Sequence, residues 1–121
     1  MDLFDRTQIA LEQALAGASA RQQALAHNLA NANTPGFRRS DVDFHATLAS
    51  ALESGAPDSA LGRLSFERAI DSNAPARADG NTVDVDKEMS TLTENSLDYQ
   101  ALVTIAHARL KMLGMAIGGR S

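Results

Sequence analysis

A chain of 121 residues carrying a formal charge of −4, with 44% hydrophobic and 4% aromatic residues, is sized for one domain whose core is thin and built from leucine, alanine and methionine. That composition suits helices better than a β-sandwich, and the acidic balance, with no cluster of Lys and Arg, excludes a phosphate-binding footprint, so no nucleic acid is expected as a partner. The absence of cysteine excludes a disulfide framework and a thiolate metal site.

At the N-terminus, Met1 to Arg6 runs into an interrupted, Gln-containing helical pattern rather than an apolar leader. No apolar run approaches the roughly 18 residues of a membrane span, so neither a cleaved signal peptide nor a membrane span is expected. Asp5 with Gln8 has the form of a capping box, and Phe4 with Ile9 that of a hydrophobic staple, which predicts a helix start nearby. From Phe4 onward, Gln8, Leu11, Leu15, Ala18, Gln22, Leu25, Leu29 and Ala32 alternate spacings of four and three. This is a heptad seam with two polar interruptions, and residues 1–32 are read as the N-terminal helix.

The stretch "NLANANTPGF", Asn28 to Phe37, stops that helix. Pro35 disfavours the α region for Thr34, and Gly36 supplies a positive φ if the turn needs one. Asn31, Asn33 and Thr34 offer more hydrogen bonds than termination requires. Asn28, Asn31, Asn33, Thr34, Pro35, Gly36 and Phe37 are therefore read as a helix stop and a corner, which the resemblance given below implies lies at a subunit interface.

Residues 33–83 read as a connecting segment. Phe44, Leu48 and Leu52, following Asp41 or Asp43, predict a short helix, while "ESGAPDSALG" and "DSNAPARADGN" read as flexible loop. Residues 84–121 read as a second long helix. Its seam is Val85, Met89, Leu92, Ser96, Tyr99, Val103, Ala106, Leu110, Leu113 and Ile117. Asp84 is the expected N-cap, Asp86 and Glu88 complement the macrodipole, and Gly118 with Gly119 end the helix. A second apolar set, Ile9, Leu97, Leu102, Ile105, Met112 and Met115, lies off both seams and needs a further neighbour. The fold class expected is all-α: two long terminal helices paired as a coiled-coil-like antiparallel hairpin, with a loosely ordered middle.

Little in the chain points to catalysis. His27, His45 and His107 have no ligand spacing, and "DGNTVDVDKE" lacks the glycine and glutamate positions of a calcium loop. No catalytic residue, metal site or cofactor is expected, and the chain is read as a non-enzyme.

Four segments carry a family resemblance: "ALAHNLANANTPGF" (Ala24 to Phe37), "DVDF" (Asp41 to Phe44), "DGNTVDVDKE" (Asp79 to Glu88) and "NSLDYQAL" (Asn95 to Leu102). Together they resemble the bacterial flagellar basal-body rod proteins, most of all those of the proximal rod. The first segment is shared across rod and hook proteins; the other three narrow the match. The resemblance implies a structural subunit that polymerises helically into the rod, the drive shaft that carries torque across the periplasm and is needed for motility. It also implies an inner coiled-coil domain made from Asp5 to Asn31 and Asp84 to Ile117. Export through the flagellar type III channel without a cleaved signal peptide would follow. Other rod subunits, the adaptor FliE, and components of the MS ring or export gate are the implied partners. A different axial subunit, or a soluble helical adaptor or export chaperone, is the alternative.

Overall fold

A computed structural model describes residues 2–118, with side chains described from Arg6 onward. Its elements in order are α1 (Asp2–Ala30), β1 (Ser40–Asp41), α2 (Phe44–Glu53), α3 (Asp58–Leu61), β2 (Ala69–Ile70) and α4 (Val85–Gly118). The protein is an all-α hairpin of α1 against α4, with one small strand pair. α1 begins before the capping box, so Asp5 lies within the helix rather than at its N-cap. The Phe4 half of the expected staple falls outside the described side chains.

Polar pairs across the two long helices fix their direction. Asn28 donates to Glu88, Gln22 to Ser96, and Asn95 to the Ala18 carbonyl. As the α1 number falls from 28 to 18, the α4 number rises from 88 to 95, so the helices run antiparallel. The core is thin and alanine-rich: Ala14, Ala18, Ala24 and Leu25 of α1 are buried, with Ala32 in the turn after it and Ala106 from α4. Small side chains let the backbones approach closely, and each contributes little apolar area.

The middle segment adds the larger buried side chains. Val42 and Phe44 join Ala18 and Ala24 in one cluster, with Phe66 and Leu102 packed at its edge. Phe44 sits over Gly17 and is 1% exposed. Burying it stabilises the fold by about 1.5–3 kcal/mol. The side chain of Asp43 caps α2 by accepting from the Ala46 N–H, and Phe44 is the first residue of the helix. The short helix is where Phe44, Leu48 and Leu52 predict it; Phe44 docks on α1, while Leu52 near its end stays exposed. β1 pairs with β2 antiparallel, Ser40 opposite Ile70 and Asp41 opposite Ala69.

Between residues 54 and 84, α3 with its buried Leu61 corrects the loop reading of "ESGAPDSALG", whereas "DSNAPARADGN", residues 71–81, holds no helix or strand, as expected. The two ends of the middle segment are nonetheless held firmly by polar contacts, which position the corner described next.

Candidate assembly site

The corner after α1 is a chain of tight turns. Asn31 N–H donates to the carbonyls of His27 and Asn28, Thr34 N–H to that of Asn31, and Phe37 N–H to that of Thr34. The Asn31 and Thr34 side chains are used within the turn: Asn31 Nδ2 donates to the His27 carbonyl and Thr34 Oγ1 to Asn31 Oδ1. Gly36 has φ +75°, the positive value the turn requires, and its N–H donates to the Asp79 carbonyl. Phe37 packs edge-on against His27, with ring centroids 5.5 Å apart. Asn33, Thr34, Pro35 and Gly36 are exposed. These four form the outward tip of the corner.

Asn28 behaves differently. Expected at the same surface, it is fully buried within the chain. Its Oδ1 accepts from Ser40 N–H at 3.1 Å, while its Nδ2 donates to the Ser40 carbonyl at 2.7 Å and to Glu88 Oε2 at 2.8 Å. One amide thus ties α1, β1 and α4 together.

Sequence reasoning missed the residues that hold the corner from behind. Asn81, fully buried, donates through Nδ2 to the carbonyls of Asn31, Ala32 and Thr34, and Arg77 reaches the carbonyls of Ala32 and Val83. Carbonyls left open where α1 ends are therefore satisfied by the segment that leads into α4. Arg39 donates to both Glu88 oxygens and to Asp71 and Asp41, while Arg21 makes a two-pronged pair with Asp41. Glu88 is only 2% exposed. It stands in the first turn of α4 as expected, and it is also the buried partner of an ion pair. The hydrogen bond to Glu88 raises the Arg39 pKa, outweighing the burial that lowers it, and the bond to Asp41 does the same for Arg21. Burial pushes the Asp41 carboxyl up, but its bonds to Arg21 and the Val42 N–H, with the charges of Arg21 and Arg39, hold it below the usual range. Removing one member of such a pair leaves a buried charge uncompensated.

On α4, Asp84 is the N-cap, accepting from Lys87 N–H. The face turned to α1 consists of Glu88, Leu92, Asn95, Ser96, Leu102, Ala106, Arg109 and Leu113, which are buried or half-buried. Of the expected seam, Leu92, Ser96, Ala106 and Leu113 belong to it. Val85, Met89, Tyr99, Val103, Leu110 and Ile117 do not; they are 40–71% exposed. On α1 the expected seam fares better, with Leu25 buried and Leu11, Leu15 and Leu29 half-buried. The inward stripe of α4 was hidden because Glu88 and Asn95 are polar, and a hydrophobic count passes over them.

The result is a helix with apolar side chains on several sides. Besides the six above, Leu97, Ile105, Met112 and Met115 are exposed. By length and composition α4 contains a stretch apolar enough to cross a membrane, and Ala106 is the one buried residue among those described in its second half. The expectation that no segment is apolar enough is corrected on that point, although Arg109 and Lys111 interrupt the stretch. Such a surface is far larger than a lone hairpin can cover. Among the described residues, no group of three or more His, Asp or Glu is placed to hold a metal ion.

Comparison with known proteins bears on this surface. Residues 9–38, which span most of α1 and its corner, match the family model described as flagella basal body rod protein. The chain is 36% identical to flagellar basal body rod protein FlgB of Proteus mirabilis, over 93% of this chain and 94% of that one. It is 32% identical to the FlgB of Salmonella typhimurium over 97% and 99%, and 32% identical to that of Bacillus subtilis over 98% of both. Identity at this level over nearly the full length of each protein means that this chain belongs to the FlgB family of flagellar basal body rod proteins.

Proposed function

We propose how this chain, which its family makes a structural subunit of the flagellar basal-body rod needed for motility, is built to polymerise. The carrying observation is the exposed apolar surface of α4, Val103, Leu110, Met115 and Ile117 among it, on a hairpin that is otherwise closed by polar locks. The hairpin forms within one chain, and the outer side of α4 packs against neighbouring subunits in a helical array that transmits torque. The corner tip, Asn33 to Gly36, meets a neighbour at a fixed angle, set by Asn81 and Arg77 from behind.

The rod crosses the periplasm, the subunit reaches it through the flagellar export channel as an unfolded chain, and no signal peptide is cleaved. A cysteine-free chain with a thin core is suited to that passage. Other rod subunits, the adaptor FliE, and MS-ring or export-gate components are the neighbours proposed. The chain has no enzymatic activity in this reading.

The test is deletion of the gene, re-expression of this chain, and analysis of purified basal bodies. Restored swimming with the chain recovered in the rod fraction is expected. Recovery only from the cytosol would instead favour a soluble adaptor or chaperone.

A further inference from the structure

α4 turns its less apolar side inward. The stripe against α1 includes Glu88 and Asn95, 2% and 0% exposed, beside Leu92, Leu102 and Ala106. The stripe left in the open, Val85, Met89, Tyr99, Val103, Leu110 and Ile117, holds neither a charge nor an amide. At 3.6 residues per turn, the two stripes are rotated from each other by roughly 60° about the helix axis. A modest turn of α4 would therefore bury the second stripe in place of the first, and burial of apolar area by itself favours that exchange. The buried face carries a polar cost as well. Asn95 Nδ2 donates to the Ala18 carbonyl and to Gln22 Oε1, but its Oδ1, equally buried, accepts from no group among the described residues.

What offsets both costs is concentrated in the first turn. Glu88 Oε1 accepts from Arg39 Nε at 2.9 Å, and Oε2 accepts from Arg39 Nη2 at 3.1 Å and from Asn28 Nδ2 at 2.8 Å. Charge-assisted, two-pronged bonds of this kind are strong and directional. They form only while Glu88 points at β1 and the end of α1, so turning α4 toward its apolar stripe would swing the carboxylate to the flank of the helix and break all three. The root of the helix is set in the same sense. Glu88 N–H donates to the Asp84 carbonyl, and Asn81 and Arg77 tie the lead-in to the corner.

We propose that Glu88 selects the face of α4: its bonds to Arg39 and Asn28, and not apolar burial, decide that the stripe of Asn95 goes in and the stripe of Met89 and Val103 stays out. Glu88 is thus a positioning residue, acting on the rotational setting of a whole helix as well as on its stability. This goes beyond the rod-subunit reading and does not depend on what covers the outer stripe.

Asn95 reports which face is inward, since its side-chain amide is fully buried and bonds to neither Glu88 nor Arg39. Hydrogen exchange followed by NMR on the isolated full chain reads that amide together with the backbone amides from Met89 to Ser96. Glu88→Ala strands no charge, because Arg39 keeps Asp71 and Asp41. In this variant the Asn95 side-chain amide is expected to exchange at least about 10-fold faster than in the parent, while the backbone amides stay within about 3-fold, as in a helix that has turned without unfolding. Glu88→Gln, which keeps an acceptor for Arg39 and Asn28, should hold the parent pattern. Adding Met89→Gln and Val103→Gln to Glu88→Ala should return the Asn95 amide to protection, because the competing stripe is gone. An Asn95 amide that stays protected in Glu88→Ala would overturn the proposal by showing that packing alone chooses the face. Backbone and side-chain protection lost together, and not restored by Met89→Gln with Val103→Gln, would overturn it equally, leaving Glu88 a contributor to stability alone.

Discussion

Gly17 sits where α2 crosses α1, and a Cβ built on it would lie 2.5 Å from the Cβ of Phe44. Neither backbone can give way cheaply, so Gly17→Ala is expected to destabilise the isolated chain by about 1–3 kcal/mol, read as a lower denaturant midpoint. Gly36 is different. Nothing lies within 4 Å of its added Cβ, but its φ of +75° strains any L side chain. Gly36→Val should cost about 1–2 kcal/mol through the backbone alone, with Gly36→Asn milder, because asparagine tolerates that region. Equal stability of Gly36→Val and the parent would show that the turn relaxes. Asp41 gives the pH dependence. Its folded pKa is depressed, so its contribution is complete above the unfolded aspartate value of about 3.9 and is lost as pH falls through the lower folded value. Thermal midpoints should therefore fall on acidification below about pH 4. Asp41→Asn should be less stable at neutral pH and show a shallower fall; an unchanged slope would place the acid sensitivity elsewhere.

At the scale of the element, α4 has two jobs on two faces. Leu92, Asn95, Ala106 and Leu113 close the hairpin, whereas Leu110, at 55% exposure, contributes little to it. Leu110→Asp should leave the urea midpoint of the isolated chain within about 0.5 kcal/mol of the parent, since exposed positions tolerate polar substitution. It should abolish swimming, because in the rod the aspartate would be buried without a partner. Leu25→Asp, at a fully buried position of α1, should instead lower the stability of the free chain by several kcal/mol. Full motility with Leu110→Asp would remove this face of α4 from the assembly surface. Arg109, adjacent in sequence, lies half-buried on the hairpin side, so a substitution there tests the hairpin and not the contact between subunits.

For the whole molecule, order should be graded along the hairpin. The end near the corner is fixed by Asn28, Arg39, Asn81 and Glu88, and the core cluster of Val42 and Phe44 packs further along α1, on Ala18 and Ala24. Beyond Tyr99, Ala106 is the one residue buried among those described. Hydrogen exchange on the dilute chain should show α1 from about Ala14 and α4 to about Ser96 protected, and the second half of α4 opening freely. Assembly should slow exchange there most. Uniform protection of α4 in the free chain would mean that it needs no neighbour.

The chain's periodicity, caps and turn residues were enough to place two long helices, the short helix behind Asp43, the cap at Asp84 and a glycine turn at Gly36, because each depends on residues within a few positions of one another. The antiparallel pairing expected of those two helices is held in register by contacts no local pattern reveals, Asn28 with Glu88 and Asn95 with Ala18, which span 60 and 77 residues. The inward face of α4 was also beyond local reading. Apolar residues occupy several sides of that helix, so a 3.6-residue period selects no single stripe, and the buried Glu88 and Asn95 look like surface residues until their partners arrive. Asn28 was placed on the surface for the same reason: an asparagine in a helix-stopping motif reads as solvent-facing, and only the backbone of Ser40, brought back by the corner, turns it into the most deeply bonded side chain of α1. Local sequence decides where helices begin and end, since capping and turn energies act between neighbours. Tertiary packing decides which polar groups go inside, since a buried amide or carboxylate is stable only where the fold delivers its partner.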